Sequence, residues 1–93
     1  MSAAPRRQAT AKIINKRGMH ARASAKLVEA AARFQSVITV GKDGQVVDAR
    51  SIMGLMMLAA SLGTEVEIVA TGPDAEAALT AILALIEAKF GEE

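Results

Sequence analysis

Hydrophobic and polar positions change their period several times along the chain, and each change marks an element. Ala9, Ala11 and Ile13 alternate with Thr10, Lys12 and Ile14, which predicts a strand over Ala9 to Asn15. Asn15-Lys16-Arg17-Gly18 breaks the alternation. From Ala21 to Phe34 helix formers dominate, and Leu27, Ala31 and Phe34 recur at helical spacing with Val28 alongside, a core-facing stripe. Arg22, Lys26, Glu29 and Arg33 recur on another side and give the helix a mostly basic outer face. Ser36 to Val40 is rich in β-branched residues, Gly41-Lys42-Asp43-Gly44 is turn chemistry, and Val46 to Ala49 returns, so a hairpin is predicted.

Ser51 is placed to cap a short apolar helix from Ile52 to Leu58, with Gly54 the one residue that counts against it. Gly63 closes that region. Thr64 to Ala70 alternates again, Val66, Ile68 and Ala70 inward and Glu65 and Glu67 outward. Pro73 suits the first turn of a last helix, Asp74 and Glu76 suit its positive end, and Leu79, Ile82, Leu83, Ile86 and Phe90 form its stripe. Lys89 falls in its last turn and Gly91 just beyond. The order is βαββαβα, which predicts an α+β sandwich with helices on one face of a mainly antiparallel sheet. Strand order does not follow from the pattern. Residues 1–8 lack periodicity and are expected to be a flexible tail, leaving 9–93 as one domain.

Composition narrows the function classes. Of the 93 residues, 52% are hydrophobic but only 2% aromatic, so the core must be aliphatic and offers no stacking platform for bases. With a formal net charge of only +1, nucleic acid is not an expected partner. Cysteine is absent and histidine occurs once, which leaves no metal set unless several carboxylates converge, so neither metal nor cofactor is expected. The longest apolar run, Ala81 to Ile86, falls far short of the ~18 residues of a membrane span. No apolar segment follows Arg6 and Arg7, so no secretory signal is expected, and the cytoplasm is the expected location.

The single histidine, His20, lies in Gly18-Met19-His20-Ala21-Arg22, at the start of the first predicted helix. An imidazole there, with backbone N–H donors and a guanidinium close by, can attack phosphorus and then hold the phosphoryl group it has gained. The plainer reading of a lone histidine in such a place is an exposed helix cap. No second acid/base group accompanies it, so an independent enzyme is not indicated.

Gly18-Met19-His20-Ala21-Arg22 is followed some thirty residues later by Ser51-Ile52-Met53-Gly54, in a chain of this size and element order. Together the two motifs make the chain resemble HPr, the histidine-containing phosphocarrier family of the bacterial phosphotransferase system, from Ala9 to Phe90. The resemblance implies an open-faced β-sandwich, a four-stranded antiparallel sheet with three helices on one face. It also implies a relay: enzyme I, charged by phosphoenolpyruvate, phosphorylates His20, Arg22 helps balance the phosphoryl charge, and a IIA-type protein accepts the group. Ser51 matches the position that HPr kinase/phosphorylase modifies in many bacteria, although capping alone would explain a serine there.

One residue departs from the family pattern. Most HPr sequences have proline after the motif arginine; here it is Ala23, which keeps a backbone N–H and frees φ. That is compatible with a paralogue serving the nitrogen-related branch of the system, and also with a regulatory carrier that transports no sugar. Met19, Ile52, Met53 and Met56 are candidates for an apolar patch around the histidine, adaptable enough for several partners, with Met53 the preferred exposed member. A monomer is expected. The alternative is a regulatory protein-binding module of the same fold in which His20 never gains phosphate.

Overall fold

The computed structural model describes residues 4–92. Its elements are β1 (Arg6–Lys12), α1 (Ala21–Ala31), β2 (Val37–Lys42), β3 (Gln45–Asp48), α2 (Ile52–Met57), β4 (Glu65–Thr71) and α3 (Ala75–Glu87), followed by a 3₁₀ turn at Lys89–Gly91. The four strands form one antiparallel sheet in the order β1-β4-β2-β3. β4 is therefore an inner strand, and its alternation is the sharpest in the chain: Val66, Ile68 and Ala70 are buried while Glu65 and Glu67 are exposed. The three helices cover the buried face. This is the four-stranded, three-helix open sandwich that the motifs imply.

The core between sheet and helices is aliphatic, with Ile13, Leu27, Ile38, Val40, Leu55, Ile68, Ile82 and Ile86 almost fully buried. Phe90 is the largest side chain in it. The hairpin turn is tighter than the sequence pattern suggests, since β2 and β3 are joined by Asp43 and Gly44 alone, at φ 50 and 83. Two consecutive positive φ values are what a two-residue turn needs to match the twist of its strands, and Asp-Gly is the pair that tolerates them.

Three elements depart most from the sequence expectation. Residues 6–8, expected in a mobile tail, belong to β1: Arg6, Arg7 and Gln8 pair with Thr71, Ala70 and Val69, and the Gly72 amide donates to Pro5 O at 2.8 Å. The ladder is a backbone interaction and leaves no trace in hydrophobic period on an exposed edge. Of the expected tail, Met1 to Ala3 lie outside the described residues. α1 stops at Ala31 rather than Phe34, its end tightening into three-residue turns from Arg33 to Ala30 O and Phe34 to Ala31 O, yet Phe34 still packs against the core. α3 stops at Glu87 because Lys89 and Phe90 take left-handed backbone angles.

Asp74 precedes α3 but its carboxylate does not cap that helix. It instead accepts from the Ser36 hydroxyl and from the backbone amides of Ser36 and Gln35, each amide at 2.9 Å, clamping the α1–β2 connection to the start of α3. The Ser36 hydroxyl, and then the Gln35 amide, hold the Asp74 carboxyl below its ordinary value. A depressed carboxylate contributes stability that is present above its unfolded value and is lost as pH falls through the folded one. Asp74→Ala is therefore expected to melt several degrees lower than the native chain at neutral pH. The gap should narrow as the pH is taken below the usual aspartate range, which thermal melts followed by circular dichroism will check; a constant gap would mean that the clamp does not depend on the charge.

Candidate functional site

The site is built where β1 hands over to α1. Ile13 extends the sheet past β1, its amide donating to Thr64 O and its carbonyl accepting from Gly63, both at 2.8 Å. Asn15, only 1% exposed, then organises the loop: its carbonyl accepts from the Gly18 amide at 3.1 Å and its Nδ2 donates to Gly18 O at 2.8 Å. Gly18 sits at φ +60, and a Cβ on it would lie 2.4 Å from Ala60 O. No other residue type fits without moving backbone. The next amide, Met19, donates to that same Ala60 O at 2.8 Å.

These contacts leave His20 at the N-cap of α1, with extended backbone angles and its carbonyl accepting from the Ser24 amide at 2.9 Å. Its side chain does the capping: Nδ1 accepts from the Arg22 backbone N–H at 3.2 Å. The Ser24 hydroxyl, buried, donates to Met19 O at 3.1 Å and braces the residue before the histidine. The other ring nitrogen, Nε2, faces Glu92 Oε2. A carboxylate can only accept, so the ring hydrogen is on Nε2 and the lone pair is on Nδ1. Glu92 Oε1 in turn accepts from Asn15 Nδ2 at 3.2 Å. The His20 hydrogen bond, more than the one from Asn15, holds the Glu92 carboxyl below its ordinary value, against the opposing effect of burial.

Around the ring lies an open cleft of about 380 Å³ lined by Lys16, Arg17, His20, Arg22 and Glu92. Three cations, a helix N-terminus and a ring lone pair suit a tetrahedral anion that arrives, bonds to the ring and leaves. Among the described residues no three His, Asp or Glu side chains come together as a metal set.

The second motif lies on the other side of the Gly18–Ala60 contact. Ser51 caps α2, its hydroxyl accepting from the Gly54 amide at 3.0 Å. The glycine that weakened the helix in the sequence is there for space: a Cβ at 54 would meet Ser51 Oγ and Val47 Cβ at 3.1 Å. Ile52, Met53 and Met56 are exposed as expected, Met53 by 71%. Met19 is not: at 6% exposure it is a core residue, pulled inward by its backbone bond to Ala60. Met57, 73% exposed, and Leu62, 55% exposed, are further exposed apolar side chains that the sequence reading missed. The signal was available, since Ile52-Met53-Gly54-Leu55-Met56-Met57-Leu58 holds more large apolar residues than one face of a six-residue helix can bury. Glu92 was missed for another reason: seventy-two residues separate it from His20, and no periodicity links them.

A family model described as the PTS HPr component phosphorylation site matches residues 7–88. A phosphocarrier protein HPr of Cupriavidus necator is 54% identical over 80 residues, covering 86% of this chain and 90% of the relative. A phosphocarrier protein NPr of Shewanella violacea is 44% identical over 80 residues, covering 86% and 88%. Among solved structures, an HPr from Thermoanaerobacter tengcongensis superposes with a TM-score of 0.90 at 48% identity, covering 94% of this chain and 98% of that one.

The Gly18–Ala60 approach can be tested directly. Gly18→Ala is expected to cost about 2 kcal/mol or more of unfolding free energy, from the left-handed backbone and the clash together. Denaturant titration gives the value, and an unchanged midpoint would show that the loop is not held there.

Proposed function

Because the chain belongs to the HPr family of phosphocarriers of the phosphotransferase system, we propose that His20 takes a phosphoryl group from phosphorylated enzyme I and passes it to a IIA-type acceptor. The observation that carries this is the Nδ1 lone pair, held at the N-terminus of α1 by the Arg22 amide and opening on a cleft lined by Lys16, Arg17 and Arg22. Nδ1 releases the Arg22 amide and attacks phosphorus as the bond from phosphorus to the donor breaks and its electron pair returns to the donor. The phosphoryl oxygens then lie beside the first-turn amides of α1 and the Arg22 guanidinium, which offset their charge. Ala23, where most HPr sequences have proline, keeps one more amide in that turn. The P–N bond stays labile, so the group can move on. The carrier acts in the cytoplasm as a monomer.

Docking falls to the apolar patch. Ile52, Met53, Met56 and Met57 stand exposed on α2, joined to the His20 loop through Met19 and Ala60, and flexible methionines suit a surface that meets enzyme I and then an acceptor. Ser51, at the base of the patch, is the residue for regulation by HPr kinase/phosphorylase. A phosphate there would meet acidic partners with like charge and act on association rather than on fold. Relatives carry both the HPr and the NPr name, so acceptors of the sugar and the nitrogen-related branches both belong in the assay.

Incubation with enzyme I and phosphoenolpyruvate should add one acid-labile phosphoryl group, seen by intact mass, and His20→Ala should add none. No transfer from an enzyme I that charges another carrier would leave the fold as a regulatory binding module. Arg22→Ala should slow transfer about ten- to a hundredfold, the size of one lost charge-assisted hydrogen bond. Met53→Asp should weaken binding to enzyme I by about tenfold with an unchanged melting curve, the scale of one interface anchor; unaltered affinity removes Met53 from the interface.

A further inference from the structure

β1 closes one edge of the sheet, and its outer side has no strand beside it. It pairs with β4 alone, from Arg6 to Lys12, and among the described residues nothing extends the ladder beyond it. A seven-residue edge presents backbone N–H and C=O groups that can take up a further strand. The opposite edge, β3, is only four residues long. Under the β1 edge the surface is apolar. Ala9 and Ala11 share the helix-covered face with their β4 partners Ile68 and Val66, but those partners are fully buried and the two alanines are only half-buried. On α3, Leu79 and Leu83 pack against the core and stay half-buried too. Between strand and helix lies a groove of about 280 Å³ lined by Thr10, Ala11, Lys12, Leu83, Ile86 and Glu87. A strand added outside β1 would send every second side chain to this side of the sheet.

Charge selects the strand that fits. Lys12 stands opposite Glu65 across the β1–β4 ladder, whereas Arg6 and Arg7 stand opposite Thr71 and Ala70, which carry no charge to answer them. Glu87 lines the groove beside Thr10 to Lys12, away from the arginines, and disfavours acidic side chains at that end. A second copy of this edge is a poor match. Antiparallel pairing of two copies about Ala9 would set each Arg6 against a Lys12, like charge against like. We propose that the outer edge of β1 docks an extended segment of another protein, which adds to the sheet as an antiparallel fifth strand, sets apolar side chains beside Ala9 and Ala11, and brings a pair of carboxylates to Arg6 and Arg7. Main-chain hydrogen bonds supply the affinity, and the groove and the two guanidiniums supply the choice of partner. The site stands apart from the relay, since its lining includes none of Lys16, Arg17, His20 and Arg22 and none of the exposed side chains of α2.

The test titrates the ¹⁵N-labelled full chain with a blocked peptide, Thr-Val-Thr-Val-Thr-Glu-Glu. In antiparallel register its valines lie opposite Ala11 and Ala9 and its glutamates opposite Arg7 and Arg6. Saturable amide shifts are expected over β1 and around Leu83 to Glu87, and the β1 amides that do not bond to β4 should exchange more slowly with deuterium. A control peptide with lysines in place of the two glutamates should bind about tenfold more weakly or worse, the scale of lost charge-assisted contacts. The double variant Arg6→Glu, Arg7→Glu, checked for an unchanged melting curve, should reverse that preference. If the variant does not fold, salt gives the same reading on the native chain, weakening the acidic peptide and not the basic one. Shifts confined to β2 and β3, no saturable shift, or equal binding of the two peptides would overturn the proposal. So would β1 shifts that appear on concentrating the chain alone, which would give the edge to a second copy.

Discussion

The close approach of Gly18 to Ala60 is the contact on which the rest of the site depends. It brings the β1–α1 loop within backbone distance of the α2–β4 loop, and the Met19 amide then locks onto Ala60 O. Without it His20 and the apolar face of α2 would belong to two independent surfaces. With it, the loop that carries His20 and the helix that carries the exposed Met53 share one backbone connection. Neither loop needs a long hydrophobic stretch of its own, because the sheet beneath supplies the burial through Ile13, Val66 and Ile68.

Much of this was legible in the chain, and what was not has physical causes. Elements with one buried face announce themselves: β4 through Val66, Ile68 and Ala70, α3 through Ile82 and Ile86, α1 through Leu27 and Ala31. The Ser51 cap was readable because capping is a local interaction. Strand order was silent, since pairing of Arg6 with Thr71 involves only backbone groups sixty-five residues apart. Met19 illustrates the opposite limit. Its composition fits a sticky surface as well as a core, and a single hydrogen bond to Ala60 decides between them. Phe90 kept its place in the predicted stripe although the helix had already ended, because core burial outweighs the cost of a left-handed turn.

The electrostatics of the site divide by distance along the chain. The cations that line the cleft come from a short stretch, Lys16 to Arg22, and could be seen as a cluster in the sequence. The opposing carboxylate arrives from the far end of the domain by way of a strained turn, a buried ring and a lysine on α1. The motif reading singled out Arg22 of the first group and passed over Lys16, Arg17 and Glu92. The helix N-terminus adds to the positive side: its Arg22 amide donates to the imidazole, and the same turn carries the partial positive charge of the helix dipole.

The strand order also governs when the molecule can come into being. β2 and β3 close on each other across a two-residue turn, so that hairpin can form as soon as it is made. β1 has no such neighbour; it must wait for β4, whose residues follow it by more than fifty positions and which lies between β1 and β2. Pairings of that sequence separation are the slow ones in folding. During synthesis at the ribosome the first strand and the histidine loop emerge early and stay unanchored, because both Ala60 and the inner strand are still to come. Completion of the sheet and assembly of the histidine site are in this chain a single late event.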